Sequence, residues 1–174
     1  MVTYYFYEYF KNTPAFFYLL DIIRDFFLAV IILTIFGYIL ISGFRKKKVD
    51  LLLTIEVLSA IFLSFFLCFL IKTIYPEIRP ISYFIPYYEQ LFDSFPSRHM
   101  TILTSIAFVI LYNSLEFGIL LLALDLLMGV LSWVSLQHWP IDIFTGWFLG
   151  FLIAIFVIEF IKYLLRSYRK KRKG

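Results

Sequence analysis

Residues 51–71 read LLLTIEVLSAIFLSFFLCFLI, an apolar stretch whose single charged residue is Glu56. A helix rises about 1.5 Å per residue, so a stretch of this length covers the hydrocarbon core of a bilayer, which is about 30 Å thick. A helix buried in a soluble core has a much shorter apolar run, typically about 10–14 residues. The segment therefore predicts a transmembrane helix.

Whole-chain composition indicates the same environment. Hydrophobic residues make up 62% of the 174 residues and charged residues only 16%, whereas ordinary soluble domains carry about 25% charged residues. The length suits one domain. We therefore predict an all-α fold, an integral membrane helical bundle that forms a single domain over residues 1–174.

Four further apolar segments are long enough to span the bilayer. They bring the number of predicted spanning helices to about five, and they cover residues 17–44, 96–113, 117–137 and 140–165. The aromatic-rich opening, residues 1–16, predicts an interfacial helix at the level of the lipid headgroups. No basic segment with an apolar core and a small-residue cleavage site opens the chain, so no removable signal peptide is expected.

Basic residues are concentrated at two places in the chain. Eleven of the 16 lie in residues 45–48 and 162–173. Five crossings place both clusters on the same side of the membrane, and the positive-inside rule makes that side the cytoplasm. The chain is thus predicted to be a multi-pass membrane protein with a cytoplasmic C-terminus and an N-terminus on the opposite side, which in the bacterial inner membrane is the periplasmic side.

Three short polar patterns lie at predicted helix ends on the periplasmic side. The first is Lys72, followed after six residues by Arg79-Pro80. A lysine offers a point charge, and an arginine guanidinium forks two hydrogen bonds onto phosphate oxygens. Pro80 fixes the backbone direction just after Arg79. This pattern predicts a cationic cradle for a phosphate group.

The second pattern, residues 96–99, reads PSRH. Pro96 suits the first turn of a helix, where its missing N–H costs nothing. Ser97 and Arg98 then present unpaired backbone N–H groups, the helix dipole adds positive potential, and Ser97 adds a hydroxyl donor. A helix N-terminus of this kind predicts a phosphate site, and His99 lies in the same turn.

The third pattern is His138 with Asp142 four residues on, at the start of the last predicted helix. Residues four apart share one face of a helix, so Asp142 can hydrogen-bond one ring nitrogen of His138. Such a bond fixes the tautomer and leaves the other nitrogen free to attack phosphorus. The patterns predict phosphoryl transfer through a histidine, but residue types alone do not decide whether His99 or His138 attacks.

In this order the three patterns resemble the signature of the type 2 phosphatidic acid phosphatase superfamily, which reads K-x6-R-P, P-S-G-H and S-R-x5-H-x3-D. The resemblance covers about residues 50–165. It implies that His138 is the nucleophile that forms a phosphohistidine, that His99 is the general acid, and that Asp142 orients His138. It also implies four phosphate-binding residues, which are Lys72, Arg79, Ser97 and Arg98.

Two positions depart from that signature. Arg98 stands where the superfamily usually has glycine, and Ser132 stands where it has its second arginine. A dianionic phosphoryl group is normally held by several fixed positive groups. Because Arg98 lies beside Ser97 at the same helix end, we expect its guanidinium to supply the cation that position 132 lacks.

The resemblance implies a metal-independent lipid phosphatase without a cofactor, and no carboxylate cluster in the sequence suggests a metal site. The expected partners are the bilayer and a lipid phosphate substrate; neither nucleic acid nor an obligate protein partner is expected. The implied substrates are lipid A 1-phosphate and undecaprenyl diphosphate, with phosphatidylglycerol phosphate as a third. The alternative is a non-catalytic membrane protein of the same fold that binds or translocates phospholipids with the same cradle.

The remaining polar and small residues of the apolar segments are expected to be structural. Glu56 and Asp125 predict protonated or hydrogen-bonded side chains inside the bundle. Gly146 and Gly150 have the spacing that permits close helix packing. Cys68 is the only cysteine of the chain, so it cannot form an intrachain disulfide, and we expect it to be a packing residue.

Overall fold

The computed structural model describes residues 2–11, 13–45, 51–84 and 92–172. Within these ranges the chain forms helices and no strand, which confirms the predicted all-α class. The helices are, in order, α1 (Val2–Phe10), α2 (Pro14–Arg45), α3 (Leu51–Ile74), α4 (Pro80–Phe84), α5 (Arg98–Asn113), α6 (Leu115–Val134) and α7 (Pro140–Lys171).

Five long helices, α2, α3, α5, α6 and α7, build the bundle. In the described part of the chain, α3, α6 and α7 are each long and apolar enough to cross a membrane. Large apolar side chains such as Phe62 and Phe148 are exposed on the outside, at 71% and 64%, as a lipid-facing surface requires. These features confirm a membrane bundle. That α2 and the 16-residue α5 also cross the bilayer stays a prediction.

Helix α5 lies at the centre of the bundle. It packs against α3, α6 and α7, and α2 packs against α6. Met100, Val109 and Ile110 of α5 are fully buried in the apolar core that these helices share. On the side towards α3, the hydroxyl oxygens of Ser64 and Ser105 lie 3.0 Å apart. The surrounding helices therefore hold the N-terminal end of α5 in a defined position.

Two glycines allow α7 to approach α5 closely. A Cβ atom at Gly146 would lie 2.8 Å from the backbone oxygen of Ser97, and one at Gly150 would lie 2.6 Å from that of Thr101. Contacts this short do not occur with a real side chain, so the predicted close packing is confirmed. The approach also places the start of α5 beside the first turns of α7, where Asp142 lies.

Helices α1 and α4 pack together near one end of α6. The rings of Tyr7 and Phe84 stack with their centroids 4.9 Å apart, and Trp133 Nε1 donates a hydrogen bond of 3.1 Å to Thr3 Oγ1. The separate N-terminal helix is as predicted, and its depth in a bilayer stays a prediction. Helix α4 was not predicted from the sequence, because five residues are too few to show a helical period.

The predicted position of Pro96 in the first turn of a helix is wrong. Helix α5 begins at Arg98, and Ser97 is its N-cap with an extended backbone, φ −67° and ψ 109°. The backbone N–H of Ser97 donates a hydrogen bond of 3.1 Å to the Asp142 carbonyl oxygen. Because this contact with α7 holds Ser97 in an extended conformation, Pro96 precedes the helix.

The fourth predicted helix ends three residues early. Helix α6 stops at Val134, whereas the sequence predicted its continuation to residue 137. Leu136 adopts a φ of 58°, which lies in the left-handed region and cannot continue a right-handed helix. As a result, His138 lies on a turn between two helices.

The three structural residues predicted inside the bundle are buried. Glu56 accepts a hydrogen bond of 3.1 Å from Asn113 Nδ2, and Asp125 accepts one of 2.5 Å from Thr104 Oγ1. Cys68 is a free, fully buried thiol. All three therefore have the structural environments that the sequence predicted.

Candidate active site

The turn between α6 and α7 carries His138 into the interior. The backbone N–H groups of Gln137 and His138 both donate to the Ser132 carbonyl oxygen, at 3.1 and 3.2 Å. The carbonyl oxygen of Leu136 accepts a hydrogen bond of 2.7 Å from the N–H of Ile81. These bonds hold the left-handed turn in place, and His138 is left only 3% exposed.

Asp142 is fixed next to His138, as predicted. Its Oδ2 atom accepts hydrogen bonds of 2.5 Å from Ser94 Oγ and 2.9 Å from the backbone N–H of Trp139. The same atom lies 3.6 Å from His138 Nδ1, slightly beyond hydrogen-bond range. Neither His138 Nδ1 nor Asp142 Oδ1 has a hydrogen-bond partner in the described structure. His138 Nδ1 therefore lies close to the Asp142 carboxylate without being hydrogen-bonded to it.

The environment of His138 favours its neutral form. Burial lowers the pKa of His138 below its ordinary value, while the nearby carboxylate of Asp142 opposes this shift. The positive charges of Arg79 and Lys72 lower it further. Since the ordinary value is about 6.5, the imidazole is neutral at pH 7, which is the form that can attack phosphorus.

Arg79 and Lys72 converge on one residue, Asp93. Arg79 forks onto its carboxylate, with Nε 2.7 Å from Oδ1 and Nη2 2.9 Å from Oδ2. Lys72 Nζ donates to the Asp93 backbone oxygen. Burial alone would raise the pKa of Asp93, but the hydrogen bonds and charge of Arg79, together with Lys72, hold it below its ordinary value. The two predicted cradle cations are thus brought together on Asp93, Arg79 at its carboxylate and Lys72 at its backbone oxygen.

The N-terminus of α5 supplies the next two predicted site residues. Ser97 is fully buried and its Oγ has no hydrogen-bond partner in the described structure. His99 is half-buried two residues further on. The charges of His138 and Arg79 act on His99, so the two histidines and the cradle lie within electrostatic range of one another.

The side chain of Arg98 lies differently from the other predicted phosphate ligands. It is exposed, and its guanidinium carbon lies 5.6 Å from the centre of the Phe65 ring, in a cation–π contact. Its charge still acts on Lys72 and His99. For Arg98 to bind a phosphate as predicted, its side chain has to turn away from Phe65.

Three residues of this region were not predicted from the sequence. Asp93 and Ser94 precede the PSRH pattern and contact Arg79 and Asp142, and Gln137 precedes His138. Gln137 is 2% exposed, and its Oε1 accepts a hydrogen bond of 2.5 Å from Arg79 Nη1. Their position next to the patterns was the available sequence signal for these residues. It does not identify their partners, which lie 14 to 58 residues away in the sequence.

A fourth residue, Arg24, was likewise not predicted to belong to this region. It is 7% exposed inside α2, and its two Nη atoms lie 2.8 Å from Asp21 and Asp25 carboxylate oxygens. Its charge acts on His99, and the charge of Arg79 acts on Asp21. Helix α2 therefore contributes a buried arginine, paired with two aspartates, to the same end of the bundle.

Comparison with known proteins identifies the family. The family model described as PAP2 superfamily matches residues 53–166. The chain therefore belongs to the PAP2 superfamily, as the three patterns predict. The match covers every predicted site residue, from Lys72 to Asp142.

Two individual proteins are similar to the chain. The bacitracin transport permease protein BcrC of Bacillus licheniformis is 34% identical over 88 residues, which are 47% of this chain and 43% of that protein. The match thus spans less than half the length of this relative. The crystal structure of Aquifex aeolicus LpxE superposes with a TM-score of 0.62 and 25% identity, and covers 81% of this chain and 86% of that one.

Proposed function

We propose that the chain is a membrane lipid phosphatase that hydrolyses a lipid phosphate monoester or diphosphate through a phosphohistidine intermediate. The observation that carries the proposal is a buried His138 beside a hydrogen-bonded Asp142, with Arg79 linked to the same turn through Gln137. Membership of the PAP2 superfamily supports the same class of reaction.

In the first step, His138 is the nucleophile. Asp142 keeps the proton of His138 on Nδ1, which leaves the lone pair of Nε2 free to attack phosphorus. A P–N bond forms as the bond from phosphorus to the leaving oxygen breaks, and His99 gives its proton to that oxygen. With a phosphate monoester the leaving group is the lipid alcohol, and with a diphosphate it is the lipid monophosphate.

In the second step, a water molecule displaces His138 from phosphorus. Neutral His99 takes a proton from the attacking water, a new P–O bond forms, and the P–N bond breaks. Inorganic phosphate leaves, and His138 returns to its neutral form while His99 is again protonated. No metal ion takes part in either step of this proposal.

The phosphoryl oxygens bind at the two cradle cations and the α5 N-terminus. Lys72, Arg79, Ser97 and Arg98 supply the donors. A phosphoryl group competes with Asp93 for Arg79, because both present two oxygens to one planar guanidinium. Donors that are already in place stabilise the charge that develops on the phosphoryl oxygens in the transition state.

The proposed substrates are lipid A 1-phosphate and undecaprenyl diphosphate, followed by phosphatidylglycerol phosphate. Each combines a phosphate headgroup with long apolar chains, which suits a polar site at the ends of apolar helices. The excess of basic residues near the C-terminus supports a cytoplasmic C-terminus. The site then faces the periplasm from the bacterial inner membrane.

The test is phosphate release by detergent-solubilised protein across these three lipids, with a chelator present. The wild-type protein should release phosphate, and His138→Ala should release none while remaining folded and extractable. His99→Ala should lose most activity but retain part of it with substrates whose leaving groups need no proton. Phosphate-lipid binding without release by the wild type would support the alternative, a non-catalytic phospholipid-binding or translocating protein. Wild-type-like activity of His138→Ala would contradict the assigned nucleophile.

A further inference from the structure

The turn that carries His138 also carries a buried donor that the reaction described above does not use. Gln137 is 2% exposed, and its Nε2 atom has no hydrogen-bond partner in the described part of the structure. Buried side-chain donors almost always have a partner, so each exception calls for an explanation. Two hydroxyl oxygens near the same turn share this property, Ser97 Oγ and Ser132 Oγ.

The orientation of the Gln137 amide follows from its contact with Arg79. A guanidinium has only donors, so it must face the oxygen of the amide. The hydrogen bond of 2.5 Å from Arg79 Nη1 to Gln137 Oε1 therefore turns the two N–H bonds of Nε2 away from Arg79. Nε2 nevertheless stays close to the Arg79 guanidinium, because Nε2 and Oε1 belong to the same planar amide group.

The backbone prevents Gln137 from moving away. Its N–H and that of His138 are bound to the same carbonyl oxygen, at Ser132. Leu136, just before it, is held in the left-handed region with φ 58°. The turn therefore holds Gln137 in a fixed position, in contact with Arg79 and next to His138 in the chain.

We propose that Gln137 is a further phosphate-binding residue, whose Nε2 donates a hydrogen bond to a nonbridging oxygen of the phosphoryl group held between Arg79 and His138. This inference rests on the proposed phosphatase site. It assigns a donor to the region where Ser132 stands in place of the arginine of the superfamily signature. Like that arginine, an amide can donate a hydrogen bond to a phosphoryl oxygen, but it carries no positive charge.

A structural role for Gln137 would be to hold Arg79 in place, and isosteric substitution separates the two roles. Gln137→Glu keeps an oxygen for Arg79 but replaces the N–H donor with a second acceptor. Gln137→Met keeps the size of the side chain and removes both groups. A phosphate donor predicts that both variants bind phosphate weakly. Normal binding by Gln137→Glu, despite its added negative charge, would show that Gln137 only holds Arg79.

The experiment measures binding of inorganic phosphate to detergent-solubilised full-length protein, by phosphorus NMR titration, in a His99→Ala background that slows turnover. We expect both Gln137 variants to raise the phosphate dissociation constant at least about 10-fold. Ser132→Arg added to Gln137→Met should recover part of the affinity. Ser64→Ala, which removes a buried hydroxyl between α3 and α5, is the control for loss of a buried polar group and should bind normally.

The outcomes are distinct from those of the phosphatase test. Unchanged binding in either Gln137→Glu or Gln137→Met overturns the inference, whether or not the protein is an enzyme. Absence of phosphate binding in the His99→Ala parent also overturns it, since no phosphoryl oxygen is then held for Gln137 to bind. If binding weakens as expected but no lipid is hydrolysed by the wild type, the donor role stands and the proposed reaction fails. Thermal unfolding of each variant in the same detergent shows that the folded protein is being titrated.

Discussion

At the scale of single residues, the site combines cations with acids that partly neutralise them. Arg79 is paired with Asp93, and Arg24 lies between two carboxylates in α2. Paired charges of this kind are held in fixed positions, and a phosphoryl group can replace the acid without large movement of the cation. His138 has the complementary property, because burial keeps it neutral beside these cations.

The pH dependence of the reaction should report the Asp142–His138 contact. Protonated His138 cannot attack, so kcat/KM should fall as the pH drops through its pKa, which burial places below about 6.5. Asp142 raises that pKa, so Asp142→Asn should move the acidic limb to lower pH. The plateau should fall by about 10²–10⁴-fold, because the tautomer is no longer fixed. An acidic limb that moves to higher pH would contradict the role of Asp142.

Arg98 and position 132 should show coupled effects. Arg98→Gly restores the usual motif. It also removes a cation that we propose turns from Phe65 to the phosphate. Because this cation is lost, kcat/KM should fall about 10-fold or more. Ser132→Arg in that background should recover part of the loss, because it rebuilds the arginine of the signature. A double-mutant cycle measures the coupling as non-additivity. If Arg98→Gly keeps full activity, Arg98 is an interfacial cation that rests on Phe65.

At the scale of helices, the geometry of the site depends on how α7 meets α5. The Ser97 N–H binds the Asp142 carbonyl oxygen, and Gly146 lets the two backbones approach at this point. The first turn of α7 therefore holds the predicted phosphate-binding end of α5 next to Asp142, the residue that we propose orients His138. A shift of α5 along α7 would separate these groups even if every side chain were retained.

Glycine substitutions test this packing, with a matched control in α2. A methyl group at Gly150 would lie 2.6 Å from the Thr101 backbone oxygen, whereas one at Gly37 would meet nothing within 4 Å. Gly150→Ala should destabilise the protein by about 1–3 kcal/mol, as overpacking does. Gly37→Ala should be neutral or stabilising by up to about 1 kcal/mol, because alanine favours the helix. Thermal unfolding in detergent measures both, and equal stability of the two variants would contradict the close packing.

Sequence patterns predicted the helices better than their contacts. The apolar segments located the long helices within a few residues, because the bilayer requires a minimum apolar length. The end of α6 was missed, since a leucine at φ 58° carries no sequence signal. The Arg79–Gln137 and Ser94–Asp142 contacts were missed because they join residues 58 and 48 positions apart, which one sequence does not pair.

At the scale of the whole molecule, charge is distributed unevenly between the two ends of the bundle. The exposed C-terminal part of α7 carries basic residues, while the described site at the opposite end of that helix combines buried cations with acids. By the positive-inside rule, this distribution predicts that the site lies outside the cytoplasm. This orientation decides which leaflet can supply the substrate.

Cysteine labelling tests the orientation directly. In a Cys68→Ala background, Tyr83→Cys in α4 should react with a membrane-impermeant maleimide in spheroplasts, because Tyr83 is 75% exposed near the site. Lys171→Cys, at the exposed end of α7, should react only after detergent lysis. The parent without cysteine controls for background, and lysis shows that both positions are reactive. The reverse pattern would place the site at the cytoplasmic face and exclude a substrate in the periplasmic leaflet.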